Sequence, residues 1–197
     1  MVAPYVRVLD GRVAKGERTR LRTIEALVEL VDETGMSPTT LDVAERAGVS
    51  VRSIYRHFPG DHGLLLAAAD FQARQHRALV FDIPPKGPSA LRIRALCRQR
   101  RLYFEEITPV YRLAHAKAYA EPGLQDILAV DRAVLHRQLA RTLAPELESR
   151  GAKAPELLEA LEQATDWDAW RALRDSRGRT APSAERLMAF SAVRILG

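Results

Sequence analysis

The chain holds a single cysteine, Cys97, in 197 residues, and only 6% of it is aromatic. One thiol excludes an intramolecular disulfide, and alone it cannot build a structural zinc site, which takes about four ligands. No metal is expected. No apolar run approaches the roughly 18 to 20 residues that a membrane-spanning helix needs, and the stretch from Met1 to Gly16 lacks the hydrophobic centre of a secretion signal. The expected location is therefore the cytoplasm, with no membrane partner. Period-two alternation, internal repeats and low-complexity segments are missing too, which removes most β architectures. So are H-E-x-x-H, G-x-S-x-G and any glycine-rich phosphate loop. Cys97 and the five histidines could supply a nucleophile and a base, but no motif brings them together, so no enzyme and no cofactor are expected.

What is present is an ordinary soluble composition, 47% apolar and 28% charged, with 30 Lys+Arg against 25 Asp+Glu. The balance of +5 favours an anionic partner such as nucleic acid without proving one. Its distribution says more. Arg7, Arg12, Lys15, Arg18, Arg20 and Arg22 face only Asp10 and Glu17, so residues 1–18 read as a basic arm ahead of the first helix, either a nucleic-acid contact or a solvated tail.

From Thr19 to Thr34, Ile24, Leu27, Val28, Leu30 and Val31 recur at helical spacing, and Gly35 and Pro38 stop the helix. Thr39 followed by Asp42 resembles a capping box that opens a short helix through Leu41, Val43, Ala44 and Ala47, which Gly48 ends. Ser50 then caps a third helix, Val51 to His57, which turns Ile54 and Phe58 inward and stops at Pro59 and Gly60. Small Ala44 and Ala47 permit close approach, Gly48 tolerates positive φ at the turn, and Val49 fills the angle. Together these form a helix-turn-helix in the DNA-binding sense, whose second helix enters the major groove.

The run from Thr39 to Phe58, T-T-L-D-V-A-E-R-A-G-V-S-V-R-S-I-Y-R-H-F, resembles the DNA-binding domain of the tetracycline-repressor-like (TetR) regulators, the likeness extending from Thr19 to about Phe71. The resemblance implies an all-α fold, with a three-helix DNA-binding domain over 19–70 joined through a helix to an all-helical ligand-binding and dimerisation domain over 71–197. It implies a homodimer on palindromic double-stranded operator DNA, and repression relieved by a small-molecule effector. The DNA-binding set would be Thr39, Ser50, Val51, Arg52, Ser53, Tyr55, Arg56 and His57. Tyr55 and His57 would meet phosphates, while Val51, Arg52 and Arg56 would reach base edges. Tyr55 could instead be a half-buried core residue, and Arg56 a solvated charge. Two positions depart from the family pattern. Thr40 replaces a larger aliphatic, leaving Leu41 to share the packing, and Asp61 stands where a basic residue usually meets a phosphate. Asp61 reads as a helix N-cap, and a phosphate-repelling acid there favours an alternative, a regulator-like protein that acts through protein contacts. A small helical enzyme is a remoter possibility.

Beyond Phe71, helices are expected over Leu64 to Val80, Ser89 to Glu106, Pro109 to Ala120, Gly123 to Leu143, Pro155 to Ser176 and Ser183 to Leu196. Arg100 interrupts the apolar stripe of Ile93, Leu96, Cys97, Phe104 and Ile107. It must pair with a carboxylate, reach water or line a ligand cavity. Cys97, Arg100, Phe104, Tyr111, His115 and Asp131 are the candidate pocket, although Asp131 could simply serve an arginine of the same chain. Arg92, Arg94, Arg98, Arg100 and Arg101 read as a helix surface and not as a second nucleic-acid site. Trp167, Trp170 and Leu173 line one face, and the last helix is apolar nearly all round through Leu187 and Phe190, so these five residues are the candidate dimer interface, the tryptophans being equally compatible with the monomer core.

Overall fold

In the computed structural model, which describes residues 4–60 and 62–197 with side chains from Val13 onward, all regular structure among the described residues is helical. Asp61 and the side chains of Arg7 and Arg12 lie outside the described residues. No described helix is long and apolar enough to cross a membrane. The chain divides into two compact units: the residues through Gln72 with Pro109–Ile127, and Ala73–Thr108 with Leu128–Gly197. The stretch 109–127, expected in the C-terminal domain, thus clusters with the N-terminal helices.

The first unit is built on α1 (Pro4–Thr34), which starts far upstream of the expected Thr19. Proline suits the first turn of a helix. Ala14, Lys15, Glu17 and Arg18 are good helix formers, so Gly16 is carried inside the helix. Most of the expected arm is therefore the beginning of α1. Ile24, Ala26, Leu27 and Val31 form its buried face, packed against α2 (Thr40–Ala47) and α3 (Val51–His57). Helix α4 (Gly63–Gln75) follows, and a side chain on Gly63 would come within 3.0 Å of the Phe58 backbone, so this close approach requires glycine. α4 ends earlier than expected, and the chain tightens into a single 3₁₀ turn at Arg77–Leu79.

The expected break before Pro109 does not occur: α5 runs unbroken over Ser89–Lys117. Proline removes the donor that would serve the carbonyl of Glu105, an exposed residue, and fully buried Ile107 and Val110 hold the segment from both sides. Helix α6 (Pro122–Thr142) also begins in the first unit and ends in the second.

Within the second unit, α5 and α6 run in opposite directions along a polar seam. Arg92 donates to the Thr142 carbonyl, Gln138 Nε2 to Gln99 Oε1 at 2.6 Å, Arg100 to the Leu135 carbonyl at 2.9 Å, and Tyr103 Oη to Asp131 at 2.6 Å. Numbers that rise along α5 fall along α6. Because each buried polar group must find its partner, sliding the pair by one turn would orphan all four at once. Apolar Ile93, Leu96, Phe104, Leu139 and Leu143 fill the space beside the seam.

The long helix expected over Pro155 to Ser176 is interrupted. After α7 (Ala144–Arg150), α8 covers Ala154–Thr165 and α9 covers Trp167–Arg171, ending in a π turn over Ala172–Ser176. The break falls at Asp166, whose carboxylate accepts from Ala169 N at 2.8 Å and so opens α9. Burial raises the Asp166 pKa. The final helix, α10 (Ala181–Leu196), packs Ala184, Met188 and Ala192 inward, chiefly against α8.

Arg100 neither reaches water nor pairs with a carboxylate: it is 1% exposed, and its hydrogen bonds among the described residues go to carbonyl and hydroxyl oxygens. Its guanidinium instead closes the end of α8, donating to Thr165 O at 2.6 Å and Thr165 Oγ1 at 3.0 Å. Burial pushes it down to about 10, so it stays charged at neutral pH. Replacing Arg100 by leucine should cost about 1.5–3 kcal/mol, the worth of a charged hydrogen bond, in a urea unfolding experiment. Arg100→Lys should recover only part of this, since an ammonium cannot span both acceptors.

Candidate nucleic-acid interface

The end of each short helix in the first unit is fixed by its own sequence. At the start of α2, Asp42 N donates to Thr39 Oγ1 at 3.2 Å while Thr39 N donates to Asp42 Oδ2 at 2.8 Å, a complete capping box. The Thr39 hydroxyl and backbone bonds hold the Asp42 carboxyl below its usual range. At the end of α2, Gly48 takes φ +63°, letting Val49 N bond the Ala44 carbonyl at 3.0 Å and turning the chain toward α3. Ser50 caps α3 by accepting from Ser53 N at 3.2 Å. Val43, Ala44 and Ala47 are the buried face of α2. Thr40 lies on that side, whereas Leu41, expected to share the packing, is 58% exposed; it sits over a quarter-turn from the centre of the buried face.

α3 buries Ile54 and presents its other side to solvent. Arg52, Tyr55 and Arg56 are exposed, and Val51, Ser53 and His57 are half-buried. At 54% exposure Tyr55 is a surface residue and not a core tyrosine. Arg56 leans on Ser53 Oγ at 3.4 Å. His57 turns its Nε2 out of solvent.

Two residues that fix this unit carry no local signal in the sequence. Arg46 on α2 reaches across to α1, bidentate to Glu33 at 2.9 and 2.7 Å and to Glu29 at 3.3 Å. The hydrogen bonds raise the Arg46 pKa and lower that of Glu33. Arg20, expected in the basic arm, donates to the His57 carbonyl at 3.1 Å. Both contacts join residues more than ten apart, and no periodicity reports them.

The segment that holds these residues matches known proteins at the sequence level. The family described as "Bacterial regulatory proteins, tetR family" matches residues 24–68. Residues 24–68 thus resemble the DNA-binding domain of that family. Over 73 residues it is 40% identical to the HTH-type transcriptional regulator SrpR of Pseudomonas putida, a match spanning 36% of this chain and 33% of that protein. The fold is shared more widely. A tetR-family transcriptional regulator from Streptomyces coelicolor superposes with a TM-score of 0.69 at 15% identity, covering 89% of this chain and 81% of the other. A transcriptional regulator from Rhodococcus sp. Rha1 gives 0.70 at 20% identity, covering 90% and 95%. Both solved structures thus share the fold of most of the chain, the helical C-terminal part included.

The expected pocket residues are not brought together within one unit. Cys97, Arg100, Phe104 and Asp131 belong to the second unit, while Tyr111 and His115 belong to the first, with ring centroids 5.9 Å apart. Asp131 serves its own chain: besides Tyr103 it meets Arg77 at 3.4 Å. The second unit does hold grooves elsewhere, one of about 590 Å³ lined by His136, Leu147, Pro155, Leu158 and Glu162.

The expected interface residues also separate. Trp167 and Trp170 are core: Trp170 tilts against Phe104 with centroids 6.2 Å apart, and Trp167 Nε1 donates to Thr108 Oγ1 at 3.0 Å. Leu173 is half-buried, whereas Leu187 and Phe190 remain exposed, Phe190 at 65%. Phe190 also borders a groove of about 440 Å³ with Arg94, Ala189 and Val193.

Cys97 is fully buried, and burial pushes its thiol up to about 12. At pH 8 the native protein should therefore leave the thiol reagent DTNB unreacted over minutes, and release one equivalent of thiolate on unfolding in guanidinium. Rapid reaction of the native chain would contradict the burial of this side chain.

Proposed function

We propose that the chain is a transcriptional regulator in the cytoplasm, a homodimeric repressor that binds a palindromic operator and is released by a small-molecule effector. The observation that carries this reading is α3 itself, capped by Ser50 and presenting Arg52, Tyr55 and Arg56 to solvent in the segment that matches the tetR family. Arg52 and Arg56 suit bidentate pairing with guanine, and Val51 suits contact with a thymine methyl. Tyr55, Ser50, Ser53 and Thr39 hold hydroxyls at the rim of the same surface and suit phosphate oxygens. His57 would reach a phosphate through Nδ1, its Nε2 being buried.

A dimer is supported by α10. Its inner face is covered within the chain, while Leu187 and Phe190 leave apolar surface uncovered on the other side. A second copy on that face would make a self-complementary interface about a two-fold axis, presenting two α3 helices to half-sites about 34 Å, or a multiple of this, apart. An effector can act only through its difference in affinity between conformers. Arg100 and Asp131 are groups for which a polar ligand would compete, because engaging either one opens the seam that sets α5 against α6.

Selection of random duplex DNA by the purified chain, followed by sequencing of the bound pool, tests the reading; enrichment of a two-fold symmetric site is expected. A folded sample that enriches no sequence would overturn the proposal. On the selected duplex, Arg52→Ala should reduce discrimination at one base pair by about 1–3 kcal/mol in a competition binding assay, leaving the others intact. Equal weakening on every sequence would make Arg52 a phosphate contact instead.

A further inference from the structure

The helix that carries the exposed arginines has only seven residues, Val51–His57. An isolated helix needs roughly 12–15 residues to be even marginally stable, so the direction in which α3 points is set by the burial of Ile54 and by what holds its two ends. Ser50 holds the first. The last has no left-handed glycine directly after it: Phe58 follows at φ −133° and ψ 81°, and Pro59 comes next.

Arg20, on the neighbouring helix α1, takes that place. Its Nη1 donates to the carbonyl of His57, the final residue of α3, and its guanidinium lies over the Phe58 ring, 4.7 Å from the centroid. Phe58 is itself buried, so the ring is a fixed platform. One turn earlier on α1, Gly16 lies beside the His57 ring, whose Cε1 would be at ordinary contact distance, 3.8 Å, from a Cβ there, and the two rings of His57 and Phe58 sit 6.4 Å apart. One planar cation thus holds the last carbonyl of α3 and the aromatic that follows it. It also places positive charge at the negative end of the helix.

We propose that Arg20 is a positioning residue for sequence recognition: it sets the angle at which α3 presents Arg52 and Arg56 to base edges, and is not one of the phosphate-contacting cations. This rests on α3 being the DNA-reading helix. The function needs an arginine. A lysine keeps the charge and could still meet a phosphate, but it cannot at once donate along the carbonyl direction and stack a flat face on Phe58.

The test compares Arg20→Lys, Arg20→Gln and wild type on the duplex enriched by the wild-type chain and on an unrelated duplex, across a range of salt. A wild-type chain that enriches no duplex disproves the DNA-binding reading itself, separately from this inference. For a positioning residue, Arg20→Lys lowers the specific-to-unrelated affinity ratio by on the order of tenfold, because base contacts are lost while phosphate contacts remain. Arg20→Gln then shows the same loss with the salt slope of the unrelated complex unchanged. Exchange of the Phe58 amide, which donates to the Ile54 carbonyl at 2.8 Å, also quickens in both variants. If Arg20→Lys behaves as wild type while Arg20→Gln weakens both duplexes equally and reduces the slope by about 0.9, Arg20 is a phosphate contact and the proposal fails. It fails equally if neither variant changes the ratio. Should Arg20 variants not fold, Phe58→Leu keeps an apolar side chain but removes the stacking face; a lowered ratio supports the proposal and an unchanged one overturns it.

Discussion

The fold depends on guanidinium groups that close helices from outside. Every α-helix leaves its last carbonyls without intrahelical donors and accumulates partial negative charge there. Four helices of this chain end on an arginine from a distant segment: α3 on Arg20 at His57, α6 on Arg92 at Thr142, α8 on Arg100 at Thr165, and α10 on Arg150 at Leu196. In each case the acceptor is the final residue of the helix. The composition fits this use, with 26 arginines and only four lysines. A planar fork can close a helix and make a second contact at once, as Arg92 does with Glu146 and Arg100 with Leu135. With one buried cysteine and no disulfide, such cross-links tie segments distant in sequence.

The same device serves both parts of the chain. In the second unit it anchors α6 and α8 to α5, and the pairs Gln99–Gln138 and Tyr103–Asp131 complete a register that has few alternatives. In the first it holds a seven-residue helix whose exposed face has no other reason to be rigid. A reading surface must be held firmly, because a base contact displaced by a fraction of an ångström loses its hydrogen-bond geometry while a phosphate contact tolerates the shift. Both a firmly held α3 in the first unit and a fixed α5–α6 register in the second thus follow from the same kind of contact.

The helix-turn-helix was legible because its determinants are local. Thr39 and Asp42, Gly48, Ser50 and the Ile54–Phe58 pair each act within four residues, and each does in the structure what its chemistry dictates. The start of α1 and the continuity of α5 were not, because Gly16 and Pro109 are unfavourable in isolation and are overridden by packing. The break at Asp166 had a local signal, an aspartate ahead of Trp167, but no glycine or proline to mark it. Arg20, Arg100, Trp167 and Trp170 were visible as residue types while their roles were not. Each role is set by a partner tens of residues away, and a charge on an apolar stripe says only that a partner must exist.

The central claim is that this chain reads DNA through α3. Hydrogen–deuterium exchange of the full chain, free and saturated with the duplex it enriches, addresses this directly, because protection is resolved along the backbone. Protection concentrated in peptides spanning Thr39 to Phe58 is the predicted result. Saturation of the duplex with protection confined to the second unit, and none in those peptides, would contradict the account.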